Sequence, residues 1–397
     1  MYPWKDAFDS WTESTQLQID ALGLITIIGA DEVNVSVGRL VPNRYAEFLP
    51  LLGAFILASN RFTKNQSNFE LYNLTEGIKT TEVAGWLSRW LKAQDFHQVH
   101  HKIRWDVQRS RLPGLSYIWT ALAISIPCHG MLLALTVLSA DWWGFLNVLA
   151  MILSVVVRVT LVHQNRAGID KAIDAHRSAT GEMPAKLLLI MDDSKVVTME
   201  IPCHLVKAVF IKAPTVPNNH LYRFTRWVGW TAFAAHIISI GMASLPTQIC
   251  TVFLIVASTI LTTFKVGCDD WRMEAHIAQD MGKTGEQAPE GVPCRISSSL
   301  TAVCSEYPKR YDEWVQRFSQ LGSEDPPGRQ CGPEKAPSPT ERRRDLFIWL
   351  DLTDDELDSM KMWNLVPQTK NTEWWGNFNA MRERWRDSAI SIKITTG

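Results

Sequence analysis

The chain has 397 residues, 46% hydrophobic and 20% charged, with 40 Lys and Arg against 41 Asp and Glu. A net charge of -1 provides no global basic surface, so no nucleic-acid partner is expected. The seven cysteines are scattered and none forms a CxxC pair, which argues against a disulfide framework and against a zinc motif.

Residues 1–81 read as an N-terminal lead-in region. The opening Met1-Tyr-Pro-Trp-Lys-Asp lacks the basic start and apolar core of a secretory signal. Targeting is therefore expected to fall to the first apolar run. Residues 22–28 and 33–41 are rich in β-branched side chains around Gly29-Ala-Asp-Glu32 and predict a hairpin. Residues 46–59 are apolar but short for a span, which favours a buried or re-entrant helix. In residues 82–111, Val83, Trp86, Leu87, Trp90 and Leu91 recur at helical spacing beside Arg89 and Lys92. The pattern predicts an amphipathic helix, lying on a membrane surface or packed on protein. Lys102, Arg104, Arg109 and Arg111 form a basic flank behind it.

Residues 112–162 hold two apolar runs, 115–140 and 142–162, separated only by a turn at Ser139-Ala-Asp141. Each is about 20 residues, the helical length that spans a ~30 Å hydrocarbon core. Residues 226–266 repeat the arrangement, broken at Ser244-Leu-Pro-Thr-Gln248. Tyr117 and Trp119, Trp142 and Trp143, Trp227 and Trp230, and Trp271 sit at the ends of these runs, as an aromatic belt does. Lys and Arg flank one end of every run, and both tight turns lack them. By the positive-inside rule the termini and the central insert are expected in the cytosol. Pro127 should kink its run, Arg158 should snorkel to the interface, and His236 should face other helices.

The insert, residues 163–225, begins with a helical pattern over 163–176. Runs 187–191 and 196–201 flank Asp192-Asp-Ser-Lys195, a hairpin signal, and run 205–211 predicts a further strand. Residues 267–345 are rich in Gly, Pro and charge and read as linker, with a short helix expected over 300–318. In residues 346–397, Thr353-Asp-Asp-Glu356 is a capping box opening one helix, and 377–386 predicts the last. The expected fold is a mainly α membrane protein. It has two transmembrane helical hairpins (four spans), a cytosolic insert containing a β-hairpin, and polar helical N- and C-terminal regions.

Three constellations invite a chemical reading. His97-Gln-Val-His100-His101 would put three imidazoles on one helical face, as membrane di-iron enzymes do, but no second box follows. Asp170 and Asp174, four residues apart with Asn165 and Arg166 upstream, could hold Mg²⁺ against a diphosphate. Asp354-Asp-Glu-Leu-Asp358 fits a DDxxD pattern yet coincides with the capping box, where acids favour the helix start. No nucleotide-binding loop and no GxSxG is present.

Several stretches carry a family resemblance: Ile103-Arg-Trp-Asp106, Asp141-Trp-Trp-Gly144 with Asn147, Gln164-Asn-Arg-Ala-Gly-Ile-Asp170, Met191-Asp-Asp-Ser-Lys-Val-Val-Thr-Met199 and Leu245-Pro-Thr-Gln248. Through them the chain resembles a family of uncharacterised fungal multi-span membrane proteins. That resemblance implies a membrane location and no catalytic assignment. The favoured expectation is a non-catalytic scaffold, with the lipid bilayer and cytosolic protein partners around it and no cofactor. The alternatives are a membrane enzyme acting on an isoprenoid or other lipophilic substrate, with Mg²⁺ at Asp170 and Asp174, and a transport component.

Overall fold

The computed structural model describes Ser10 and residues 30–43, 46–50, 69–94, 96, 99–107, 115–176, 184–268, 294–306, 339–366 and 369–396. At its centre is one seven-stranded mixed sheet. Its strands are β1 (Glu70–Asn73), β2 (Ile78–Thr80), β3 (His100–Val107), β4 (Pro184–Ile190), β5 (Val196–Pro202), β6 (Cys294–Arg295) and β7 (Leu300–Glu306). Their spatial order is β2-β1-β4-β5-β3-β7-β6. The β3–β5 pair is parallel, and every other pair is antiparallel.

Alternation along the strands gives the sheet two apolar faces. Leu187, Met199, Ile103 and Cys304 stand side by side in register across four strands. They join one core with helix α2 (Gly85–Ala93), the π-helical segment Val206–Ile211 and the lower half of a long helix, Trp142–Ala175. Trp105 lies between Trp86, Trp90 and Phe210, with ring centroids 5.0–5.7 Å away. Tyr72 and Leu188 face the other way. They pack on the C-terminal helices Pro339–Trp349, Asp354–Met362 and Thr372–Thr396.

Helices α3 (Leu115–Leu138), α4 (Trp142–Ala175), α5 (Asn219–Met242) and α6 (Leu245–Thr263) form the remaining layer; α1 (Ala30–Gly38) precedes them in the chain, and the three C-terminal helices become α7, α8 and α9. Asn165 reaches the Tyr222 hydroxyl near the start of α5, while Asp141 meets Ser244 past its end. These contacts set α5 antiparallel to α4, and α6 parallel to it.

The expectation of a mainly α, four-span membrane protein is overturned. Strands from four stretches far apart in sequence build the sheet. Among the described residues two helices, α4 and α6, are long and apolar enough to cross a membrane. Helix α5 opens with polar turns carrying His220, Arg223 and Arg226.

Other expectations also fail, for identifiable reasons. The amphipathic helix α2 is a core helix, not an interfacial one: Trp86, Leu87, Trp90 and Leu91 are all buried against the sheet. Residues 33–38 belong to a helix, although their β-branched side chains suggested a strand, and 22–28 lie outside the described residues. The run 205–211 coils as a π-helical segment, its Phe210 carbonyl accepting from Ala84 N. Residues 300–306 form β7 rather than a helix, because β3 supplies an open edge for them. Of the apolar segment 46–59, the described part is a 3-10 turn, Ala46–Phe48. The hairpin around Asp192-Asp-Ser-Lys195 is present, closed by Met191 N donating to Lys195 O.

Candidate functional site

Helices α4 and α6 carry apolar side chains outward and polar ones inward. Trp142 (78% exposed), Leu149, Leu153 and Val156 line the outer side of α4, and Phe253 (74%) and Ile260 that of α6. Asn147, Ser154 and Arg158 on α4, and Thr247, Thr251, Ser258 and Thr262 on α6, are buried. Asn147 Nδ2 donates to Thr251 Oγ1 at 3.0 Å. A water-facing helix pair has the reverse pattern. Polar contacts between helices and an apolar outer surface suit a hydrocarbon surrounding.

One carboxylate organises the upper end of this layer. Asp141 Oδ1 accepts from Gly144 N at 2.8 Å and caps α4. Its Oδ2 accepts from Ser244 N at 2.8 Å and Ser244 Oγ at 2.7 Å, where α6 begins. Burial pushes this carboxyl up, and the bonds from Gly144 and Ser244 outweigh it, leaving it below the ordinary value.

The foot of α4 is held by charged and polar side chains. Arg158 does not snorkel: it is buried and donates to the carbonyls of Glu47 and Leu49. Two turns on, Arg166 donates to Leu40 O at 2.6 Å and to the Glu47 carboxylate at 2.9 Å. The two arginines clamp Leu40, Glu47 and Leu49 against the layer. Asn165 donates to Leu161 O and Tyr222 Oη. Asp170 accepts from Ser298 Oγ at 2.6 Å and Ser299 N at 3.1 Å, fastening the β6–β7 turn to α4. Asp174 is exposed. The three residues of the diphosphate reading therefore share a helix, but the Asp170 carboxylate is already engaged within the protein.

The histidine box is divided by its secondary structure. His97 lies outside the described residues. His100 and His101 are neighbours on β3, so their side chains leave opposite faces of the sheet. The His101 ring packs on Phe96, tilted by 38°, with centroids 4.3 Å apart. Burial, with the charge of His101 second, pulls the pKa of His100 down to about 4. Arg89, buried in α2 with Nη1 donating to Gly85 O at 2.8 Å, is lowered by burial to about 10. Among the described residues no group of three or more His, Cys, Asp or Glu side chains is placed to hold a metal ion.

The DDxxD-like stretch is built into the C-terminal unit. Thr353 and Glu356 form the reciprocal capping box of α8. Asp354 pairs with Arg382 at 2.6 Å, which lowers its pKa, and Asp358 pairs with Lys361 at 2.7 Å. Lys186 of β4 reaches across to Glu356 at 3.3 Å, with both side chains nearly buried, and donates to Asp351 O. The residues that sequence reasoning missed, Lys186 and Ser298, act on partners more than a hundred positions away, as does Arg166, which the sequence had placed only beside a diphosphate. Asp141 was visible as a turn residue, but its second helix was not. No protein-family model, no curated protein and no solved structure matches the chain.

Proposed function

We propose that the protein is a membrane-embedded, non-catalytic scaffold. In this reading α4 and α6 cross the bilayer in the same direction and α5 returns the chain between them, making the protein multi-pass. The sheet and its C-terminal helices stand on the cytosolic side and present their surface to protein partners. The observation that carries the reading is the outward apolar, inward polar patterning of α4 and α6. The orientation is supported by Lys207, Lys212 and Arg223 gathering at the foot, as the positive-inside rule requires of a cytosolic face.

Two measurements test it. The full chain should float with neutral lipid vesicles and resist alkaline carbonate extraction; complete release into the soluble fraction would end the membrane reading. The purified protein should show no Mg²⁺-dependent binding of a geranylgeranyl diphosphate analogue. Saturable binding abolished by Asp174→Asn would replace the scaffold with the lipophilic-substrate enzyme.

A further inference from the structure

We infer that the foot of the helix layer is a docking surface for anionic phospholipid headgroups, formed by Lys207, Lys212 and Arg223 with exposed Phe224 and Trp227 beside them. The inference rests on the membrane reading above and adds a lipid class to it.

The first observation is a charge asymmetry. From residue 201 to residue 268 the chain contains no Asp or Glu, while it contains Lys207, Lys212, Arg223, Arg226 and Lys265. All five fall at one end of the layer. Lys207 and Lys212 lie in and just after the segment Val206–Ile211, the two arginines are in the first turns of α5, and Lys265 follows α6. The loop after Lys212 is held on α4 at Gly168, where an added Cβ would come within 3.0 Å of Thr215 O. The cations thus sit level with the foot of α4, and Asp141 lies at the opposite end of the layer.

The second observation is exposure. Lys207, Lys212 and Arg223 are exposed, and among the described residues none is paired with a carboxylate. Phe224 is 67% and Trp227 73% exposed, and Phe264, just past the end of α6, is 70% exposed. Large aromatic rings standing in water beside unpaired cations are costly for a soluble surface. At a bilayer boundary the same grouping is favourable. The rings rest at the headgroup level and the cations meet phosphate and carboxylate oxygens. A lipid of net negative charge, such as phosphatidylserine, complements this face, whereas zwitterionic phosphatidylcholine offers no net charge to it.

The test uses the full chain reconstituted in bilayers of equimolar phosphatidylserine and phosphatidylcholine, extracted in mild detergent, with the co-purifying lipids quantified by headgroup. Wild type should retain phosphatidylserine over phosphatidylcholine by roughly tenfold, given the attraction per surface cation. The combined variant K207Q/K212Q/R223Q should fall to near parity, while K195Q, on the distant hairpin, should match wild type. If the triple variant does not accumulate, R223Q alone is compared with wild type washed at about 1 M salt, where the Debye length is about 3 Å; both should lose most of the selectivity. Equal retention of the two lipids by wild type, or selectivity unchanged in the variants, overturns the inference. Flotation with neutral vesicles in that case leaves the membrane reading standing. Failure to float with any vesicle removes both.

Discussion

Replacing Asp141 tests whether one carboxylate ties two helices together. Asp141→Asn keeps the shape of the side chain, removes the charge and leaves one acceptor oxygen for three donors. The Gly144 and Ser244 bonds at 2.7–2.8 Å are charge-assisted. Each such bond contributes roughly 1.5–3 kcal/mol net of the water it replaces in a buried setting, and a lost N-cap costs about 1 kcal/mol. Because this half-exposed site can recruit water, the expected net loss is about 2 kcal/mol for Asn. Asp141→Ala, which uncaps both helices, should lose about 3 kcal/mol. The pH dependence has a definite sign. The folded pKa lies below the unfolded one, so the stabilisation is full above pH ~4 and is lost as pH falls through the folded value. The assay is thermal unfolding of the purified protein in detergent between neutral pH and pH ~3, for wild type and both variants. Gly144→Ala provides a second perturbation, since the added Cβ would lie 2.5 Å from Asp141 Oδ2 and 2.8 Å from Thr247 Cγ2. It should destabilise wild type more than it destabilises Asp141→Ala, because both changes act on one contact. An Asn variant within about 0.5 kcal/mol of wild type at neutral pH would refute the double-cap account.

Three further outcomes are expected. Lys186→Met leaves Glu356 nearly buried without its cation, so the C-terminal helices should loosen at a cost of about 3 kcal/mol; unchanged protease resistance of residues 339–396 would count against it. Asp170→Asn should lower stability by about 1–2 kcal/mol through the lost bonds to Ser298 and Ser299. Added Mg²⁺ should raise the melting temperature of neither wild type nor variant, and a Mg²⁺-dependent rise in wild type alone would point to a metal site there instead. His100 is held neutral in the fold, so the unfolded state gains protons first as pH drops from ~6.5 towards 4 and stability declines across that window. His100→Gln should flatten that part of the pH profile, and an unchanged slope would reject the assignment.

Local pattern was enough for the elements whose stability is local. The long apolar runs of α4 and α6 read directly as helices able to cross a membrane, because length and composition alone decide that property. The hairpin around Asp192-Asp-Ser-Lys195 and the Thr353 capping box were legible because their partners lie within a few residues. The same local reading misplaced residues 33–38, 205–211 and 300–306. A short run of Val, Ile and Leu suits a helix or a strand equally, and the choice falls to whatever edge or groove receives it. Here β3 offered an edge to β7, and the space beside Trp86 received the coil carrying Phe210. For α2 the sequence set the amphipathic stripe, while the sheet decided that protein rather than membrane would cover it. The histidine pair of β3 was separated by strand geometry, and Asp170 was committed by two serines far along the chain. Sequence alone therefore determined which segments are apolar, amphipathic or capped. Tertiary structure decided the partners of Lys186, Arg166 and Asp170 and the second helix of Asp141, because those contacts join residues more than a hundred positions apart whose loop-closure cost only the assembled core offsets.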